Sequence, residues 1–256
     1  MKLYFNENLL DGVFGKEGRW LNVTLEREEL EAWKRKFSKR SSVIQRISKQ
    51  AQTKVNRWIP EQAHKAITES IRKMVEVTLK NSGWVPFQRV SVKSSLKERE
   101  EMMKDRLGFY RKAATIEGAG TGVGGILLGL ADFPLLLSMK MKFLSECSLI
   151  HGYDVEEYEE RLFLLHVFQL AFSSDSHKKH VLTIIENWEE EKEGLKELDW
   201  RTFQQEYRDY IDFVKFFQLI PGVGALIGAY ANYQLLEQLG EVAIFAYRIR
   251  YFHELE

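Results

Sequence analysis

A few short stretches of the sequence carry groups able to bind a ligand or to react. Gly120-Thr121-Gly122-Val123-Gly124-Gly125 has the G-x-G-x-x-G spacing that lets backbone N–H groups cradle a phosphate at a helix N-terminus. That fingerprint has meaning only after a core strand, within a βαβ unit. The residues ahead of it, RKAATIEG, are charged and helix-like, and no lysine follows in the P-loop pattern, so the spacing argues against a nucleotide site. His177-Lys178-Lys179-His180 places two histidines at i, i+3, a start for a metal site. Catalytic zinc needs a third ligand, and neither Asp175 nor Glu186 is placed by the pattern to supply it, so this reads as a surface pair beside lysines. His166, within the apolar LFLLHVF, reads as a hydrogen-bonded core histidine, and Glu189-Glu190-Glu191 as a solvated helix face. Cys147 is the only cysteine, which excludes an internal disulfide and a thiolate cluster within one chain. G-x-S-x-G and H-E-x-x-H are absent, so no catalytic residue, cofactor or metal is assigned and an enzyme is unsupported.

What must position these residues is helical. Four prolines in 256 residues, with abundant Leu, Glu, Lys, Ala and Gln, favour an all-α protein, a helical bundle. The start, MKLYFNENLLDGVFG, lacks the basic and long apolar parts of a secretory signal, so a cytoplasmic location is expected. The formal net charge of zero hides a split. Residues 1–112 carry 25 Lys and Arg against 14 Asp and Glu, and residues 113–256 carry 12 against 23. Either the halves balance within one fold, or the basic part faces a polyanion.

From Ala32 to Ile59 there is no acid, and Lys34, Arg35, Lys36, Lys39 and Arg40 begin a run of nine positive charges. Trp33, Phe37, Ile44, Ile47, Ala51, Val55 and Trp58 recur mostly three or four apart, so a helix here has an apolar stripe opposite a cationic face. Such helices lie on anionic membrane surfaces or bind acidic partners. A covering role on an acidic patch of the same protein is the alternative. No nucleic-acid fold accompanies the run, and no nucleic-acid partner is expected. Residues 1–55 read as an N-terminal segment with this basic helix and 56–256 as a second domain, in which Pro60 starts a helix facing inward through Ala63, Ile67, Ile71, Met74 and Thr78.

The stretch GAGTGVGGILLGLADFPLLL, 118–137, is echoed at 221–236 by PGVGALIGAYANYQLL. At an offset of 100, six of fifteen positions from Gly122 to Leu136 are identical. A duplicated element, a pseudo-symmetric pair of glycine-rich apolar helices, is one reading and chance likeness the other. Phe216 to Leu236 is 21 residues without a charge, but Pro221, Gln218, Asn232 and Gln234 make it a poor membrane span, and Asp132 interrupts the first stretch. Glycines four apart (Gly120 and Gly124, Gly125 and Gly129, Gly224 and Gly228), with Gly118, Gly122 and Gly222 beside them, allow close helix packing or membrane contact. Asp132 and Asn232 then form a candidate buried polar pair, with Arg161 or Lys140 as the counter-charge for the carboxylate. His151-Gly152-Tyr153-Asp154 reads as a helix stop and turn, with Asp154 or a neighbour capping a helix whose first turn holds Glu156, Glu157, Glu159 and Glu160.

GAGTGVGGILLGLADFPLLL, then HGYDVEEYEERLFLLHVF, then IPGVGALIGAYANY, in that order across about residues 55–252, resemble the EcsC family of bacterial proteins. The resemblance implies a helical protein of unassigned biochemical activity, whose founding member is encoded beside the subunits of an ABC exporter. It implies no catalytic residue: Gly152-Tyr153 and Glu160-Arg161, like the glycines, look architectural. The resulting expectation is a non-enzymatic accessory or regulator, peripheral at the inner face of the membrane, with an anionic lipid surface or an integral membrane protein as partner. A soluble binder of lipid or another hydrophobic ligand is the alternative, and a hydrolase around Asp132, Arg161 and the histidines a third.

Overall fold

The computed structural model describes residues 16–39, 61–80, 94–121, 126–173, 175–197 and 224–255, the side chains near several of these ends excepted. The described residues form helices and no β-strand: α1 (Lys16–Lys39), α2 (Glu61–Lys80), α3 (Leu96–Thr121), α4 (Ile126–His151), α5 (Tyr158–Phe172), α6 (Asp175–Glu186), α7 (Trp188–Glu197) and α8 (Gly224–His253). The chain divides into two compact units, residues 1–40 and 41–256.

The first unit contains α1. This helix begins well before the basic run, so Glu26, Glu28, Glu29 and Glu31 precede Lys34, Arg35, Lys36 and Lys39 on one element. Leu30, Trp33 and Phe37 recur at i, i+3, i+7 and are buried, the two rings stacked 4.6 Å apart. The aromatic stripe is thus buried, while Arg35, Lys36 and Lys39 are exposed. Lys34 is half-buried beside Glu31, at 2.8 Å. Arg40 and the rest of the basic run to Ile59 lie outside the described residues.

In the second unit α8 is the central element, against which α3, α4, α5 and α6 pack. Its partner along most of its length is α3, and the two are antiparallel: Glu100 meets Arg248, Leu107 meets Gly240 and Arg111 meets Glu237. A Cβ on Gly240 would overlap the Leu107 side chain, so glycine sets the closest approach there. α4 also runs antiparallel to α3, with Glu146 beside Arg106 and Tyr110. α5 is buried on all sides, only Tyr158, Glu159 and Arg161 of its fifteen residues escaping burial, which is why it lacks an amphipathic stripe. α2 contributes Ile71, Met74, Val75, Thr78 and Leu79 to this core, in agreement with the described part of the inward face read from its periodicity.

Local chemistry fixes the helix ends. Ser95 and Glu98 form a reciprocal capping box at α3: the Ser95 N–H donates to the Glu98 carboxylate at 2.7 Å and the Glu98 N–H to Ser95 Oγ at 3.3 Å. Asn187 separates α6 from α7, resolving the acidic stretch into a helix pair. RKAATIEG lies inside α3, so the glycine spacing at 120–125 follows a helix rather than a strand.

Candidate functional site

The most organised polar region grows from the His151-Gly152-Tyr153-Asp154 turn. Gly152 has φ +87°, the left-handed conformation that glycine adopts without a Cβ penalty. Its N–H donates to Leu149 O and the Tyr153 N–H to Ser148 O, both at 3.1 Å, the paired bonds of a Schellman helix end. Asp154 does not cap α5. Its carboxylate accepts the Glu156 N–H at 2.9 Å and shapes the loop, while Glu157 is the N-cap residue and makes no side-chain cap bond. The turn delivers His151, Tyr153 and Glu160 to the C-terminal part of α8.

There the side chains interlock. Glu160, buried in the first turn of α5, accepts Tyr247 Oη at 2.7 Å and is ion-paired with Arg250. The Arg250 guanidinium lies 3.6 Å from the Tyr153 ring centroid and 4.4 Å from that of Phe163. Tyr247 stacks on His151, with centroids 4.8 Å apart. Tyr153 Oη donates to Glu254 at 2.7 Å, and Arg99 of α3 donates to the His151 carbonyl at 3.1 Å. Arg161 closes the rim by donating to the carbonyls of Leu79, Val155 and Glu156, which ties α2 to the turn. Two further buried clusters continue along α3. Glu100 and Arg248 form a bidentate pair with both bonds at 2.7 Å, and Glu146 receives both Arg106 and Tyr110.

The electrostatics favour a lock over an acid–base site. Burial, with Arg99 and Arg250 nearby, pushes His151 down to about 3, so its imidazole is neutral at physiological pH. Among the described residues neither ring nitrogen has a hydrogen-bond partner. Burial pushes the Tyr247 hydroxyl well up, and the adjacent Glu160 adds to this. Burial opposes the charge on Arg250 most strongly of any single cause, but Glu160, Tyr153 and Tyr247 together more than offset it and the guanidinium stays protonated. Cys147, wholly buried, is held as a thiol by burial first and by Glu146 second, so it is no nucleophile.

The other residues singled out in the sequence are dispersed. Gly122, Gly124, Gly125 and Gly222 lie outside the described residues. Gly118 and Gly120 fall at the end of α3, Gly129 near the start of α4, and Gly224 and Gly228 in the first turns of α8. The side chain of Asp132 is also outside, Asn232 is buried on α8, and Lys140 is buried with Nζ 3.5 Å from Leu136 O. His166 is the core histidine expected, its Nδ1 2.8 Å from Leu162 O. His177 and His180 have ring centroids 5.3 Å apart, with His177 half-buried beside Gln169. Among the described residues no group of three or more His, Cys, Asp or Glu could hold a metal ion. Glu189, Glu190 and Glu191 are exposed.

The glycine-rich half differs. Beyond the Leu107–Gly240 contact, on the side away from Glu100–Arg248, Phe109, Leu135 and Tyr233 are 56%, 49% and 38% exposed. Arg106 lies 4.9 Å from the Phe109 ring centroid and Arg111 4.8 Å from that of Tyr233. Among the described residues, no helix is long and apolar enough to cross a membrane.

Comparison with known proteins places this architecture. The profile of the EcsC protein family matches residues 25–252, from within α1 almost to the end of α8. The chain belongs to the EcsC protein family. The match takes in most of α1 as well as the three motifs on which the resemblance rests. Protein EcsC of Bacillus subtilis (strain 168) is 53% identical over 233 residues, 91% of this chain and 97% of the relative. The uncharacterized protein YdbA of the same organism is 32% identical over 142 residues, 54% of this chain and 52% of its own. No solved structure matches. Gly152-Tyr153 and Glu160-Arg161 have physical roles here as parts of one lock. Their partners Arg99, Tyr247 and Arg250, and the separate Glu100–Arg248 pair, were missed in the sequence. The available signal was charge embedded in apolar helix, as in AIFAYRIRYF.

Proposed function

We propose that this EcsC-family protein is a peripheral membrane-associated accessory or regulator at the inner face of the bacterial membrane, serving a membrane system such as an ABC transporter and carrying out no chemistry of its own. The observation that carries this reading is the distribution of exposed apolar side chains. Phe109, Leu135 and Tyr233 lie on the half of the bundle toward the uncharged, glycine-rich sequence. Arg106 and Arg111 lie over the Phe109 and Tyr233 rings while paired with Glu146 and Glu237, so polar and apolar groups alternate on this surface as they do at a membrane interface. At the other end the described exposed apolar side chains, Tyr158 and Leu255, stand instead among charged residues, in EEYEER and HELE. Apolar contact combined with cationic attraction through Lys34, Arg35, Lys36, Lys39 and Arg40 holds a protein to a membrane better than either alone.

The test is fractionation of the full-length protein in a bacterial host, washing the membrane pellet in turn with high salt, alkaline carbonate and detergent. Release by salt or carbonate is expected. Release only by detergent would mean inserted helices, and recovery wholly in the supernatant with co-extracted lipid would turn the reading to the soluble ligand binder. Neutralising Lys34, Arg35, Lys36, Lys39 and Arg40 should weaken binding to anionic vesicles, and unchanged binding would remove the electrostatic part.

A further inference from the structure

The outward face of α1 is divided by charge along its length. Opposite the buried Leu30, Trp33 and Phe37, the N-terminal part exposes Glu28, Glu29 and Glu31 against the single cation Arg27, Glu31 being paired with Lys34, and the C-terminal part exposes Arg35, Lys36 and Lys39, with the small Ala32 between them. Leu25, 50% exposed, Glu28, Ala32, Arg35 and Lys39 recur at spacings of three and four and so share one face. The small Ala32 leaves a shallow gap on that face between the longer side chains of Glu28 and Arg35.

We infer that this face pairs with the same face of a second copy, antiparallel, about a twofold axis near Ala32. Such an interface is isologous, so whatever lies four residues before the axis meets what lies three or four after it. Glu28 of one protomer then faces Arg35 and Lys36 of the other, Leu25 lies against the stem of Lys39, and Ala32 lets the backbones approach. A parallel pair would set acid against acid and base against base, so charge complementarity selects the antiparallel arrangement. The contact is small and mostly polar, which makes a weak, salt-sensitive dimer. Pairing also withdraws Arg35, Lys36 and Lys39 from any lipid surface. The inference does not rest on the membrane reading, and its test uses no lipid.

The test is sedimentation equilibrium of the full-length protein in low salt and in about 0.5 M salt, where screening is strong. Self-association in low salt, weakened by salt, is expected. Glu28→Lys with Glu29→Lys, and separately Arg35→Glu with Lys36→Glu, should each weaken association by roughly tenfold or more. Mixing the two double variants should restore pairing as a heterodimer, because each altered half then meets its opposite; this rescue separates complementarity from damage to the helix. A wild-type protein that is monomeric in low salt, a dimer indifferent to both double variants, or a mixture that fails to associate would each overturn the proposal.

Discussion

The end of the bundle built on His151-Gly152-Tyr153-Asp154 ties five helices together through Glu160, Arg161, Arg99, Tyr247 and Arg250, and its exposed Tyr158 and Leu255 stand among charged residues. The half toward Gly118 and Gly224 contains the exposed Phe109, Leu135 and Tyr233, and its flanking sequence is uncharged. At one end buried ion pairs join the helices; at the other exposed apolar side chains stand beside the Arg111–Glu237 pair. A bundle locked at one end by buried ion pairs can present apolar surface at the other without losing its register. Removing a lock residue should cost stability, whereas removing an exposed apolar one should cost attachment.

The largest loss is expected at Glu100–Arg248, where both side chains are buried and each carries the other's charge. Arg248→Leu leaves a buried carboxylate alone and should destabilise by about 3–5 kcal/mol in chemical denaturation. Replacing both residues by Met should recover most of that. If the double variant is no better than the single one, the pair is not the source of the effect.

Acid comes next. His151 is held at about 3 and His166 at about 4 in the folded protein, against an ordinary 6.5. Between those values the unfolded chain binds more protons than the folded one, so stability falls as pH drops from 6.5 toward 4. Each histidine contributes a slope of at most about 1.4 kcal/mol per pH unit. His151→Phe keeps a ring against Tyr247 and removes two unpartnered nitrogens, so it should flatten that slope without loss at neutral pH. An unchanged slope would show that His151 is not buried neutral.

Gly240→Ala is expected to cost about 1–3 kcal/mol by pushing Leu107 off α8. Leu107→Ala in the same chain should relieve part of that overlap. Additive losses in the double variant would place the close approach elsewhere.

Much of this was legible in the sequence, for identifiable reasons. Helices follow from composition and periodicity, and the core position of His166 from its apolar neighbours. The stop after His151 follows from Gly152, because helix ends are written locally. The lock was not legible: Glu160 and Arg250 are 90 residues apart and Glu100 and Arg248 are 148 apart, and no spacing rule connects them. Asp154 looked like a cap because its residue type suits one, but its carboxylate is taken by the Glu156 N–H. The basic run drew attention to a cationic helix, yet α1 starts earlier and is acidic in the part that precedes the run.

The most direct measurement places a solvent-sensitive fluorophore at one site in each half of the bundle. Cys147 is wholly buried and should not label, so Leu135→Cys and, on the exposed acidic face of α7, Glu190→Cys each give a single reactive thiol. On addition of vesicles containing anionic lipid, the probe at 135 should shift to the blue as it enters the interface, while the probe at 190 should not respond. No shift at 135, or equal shifts at both positions, would contradict a membrane contact through the glycine-rich half.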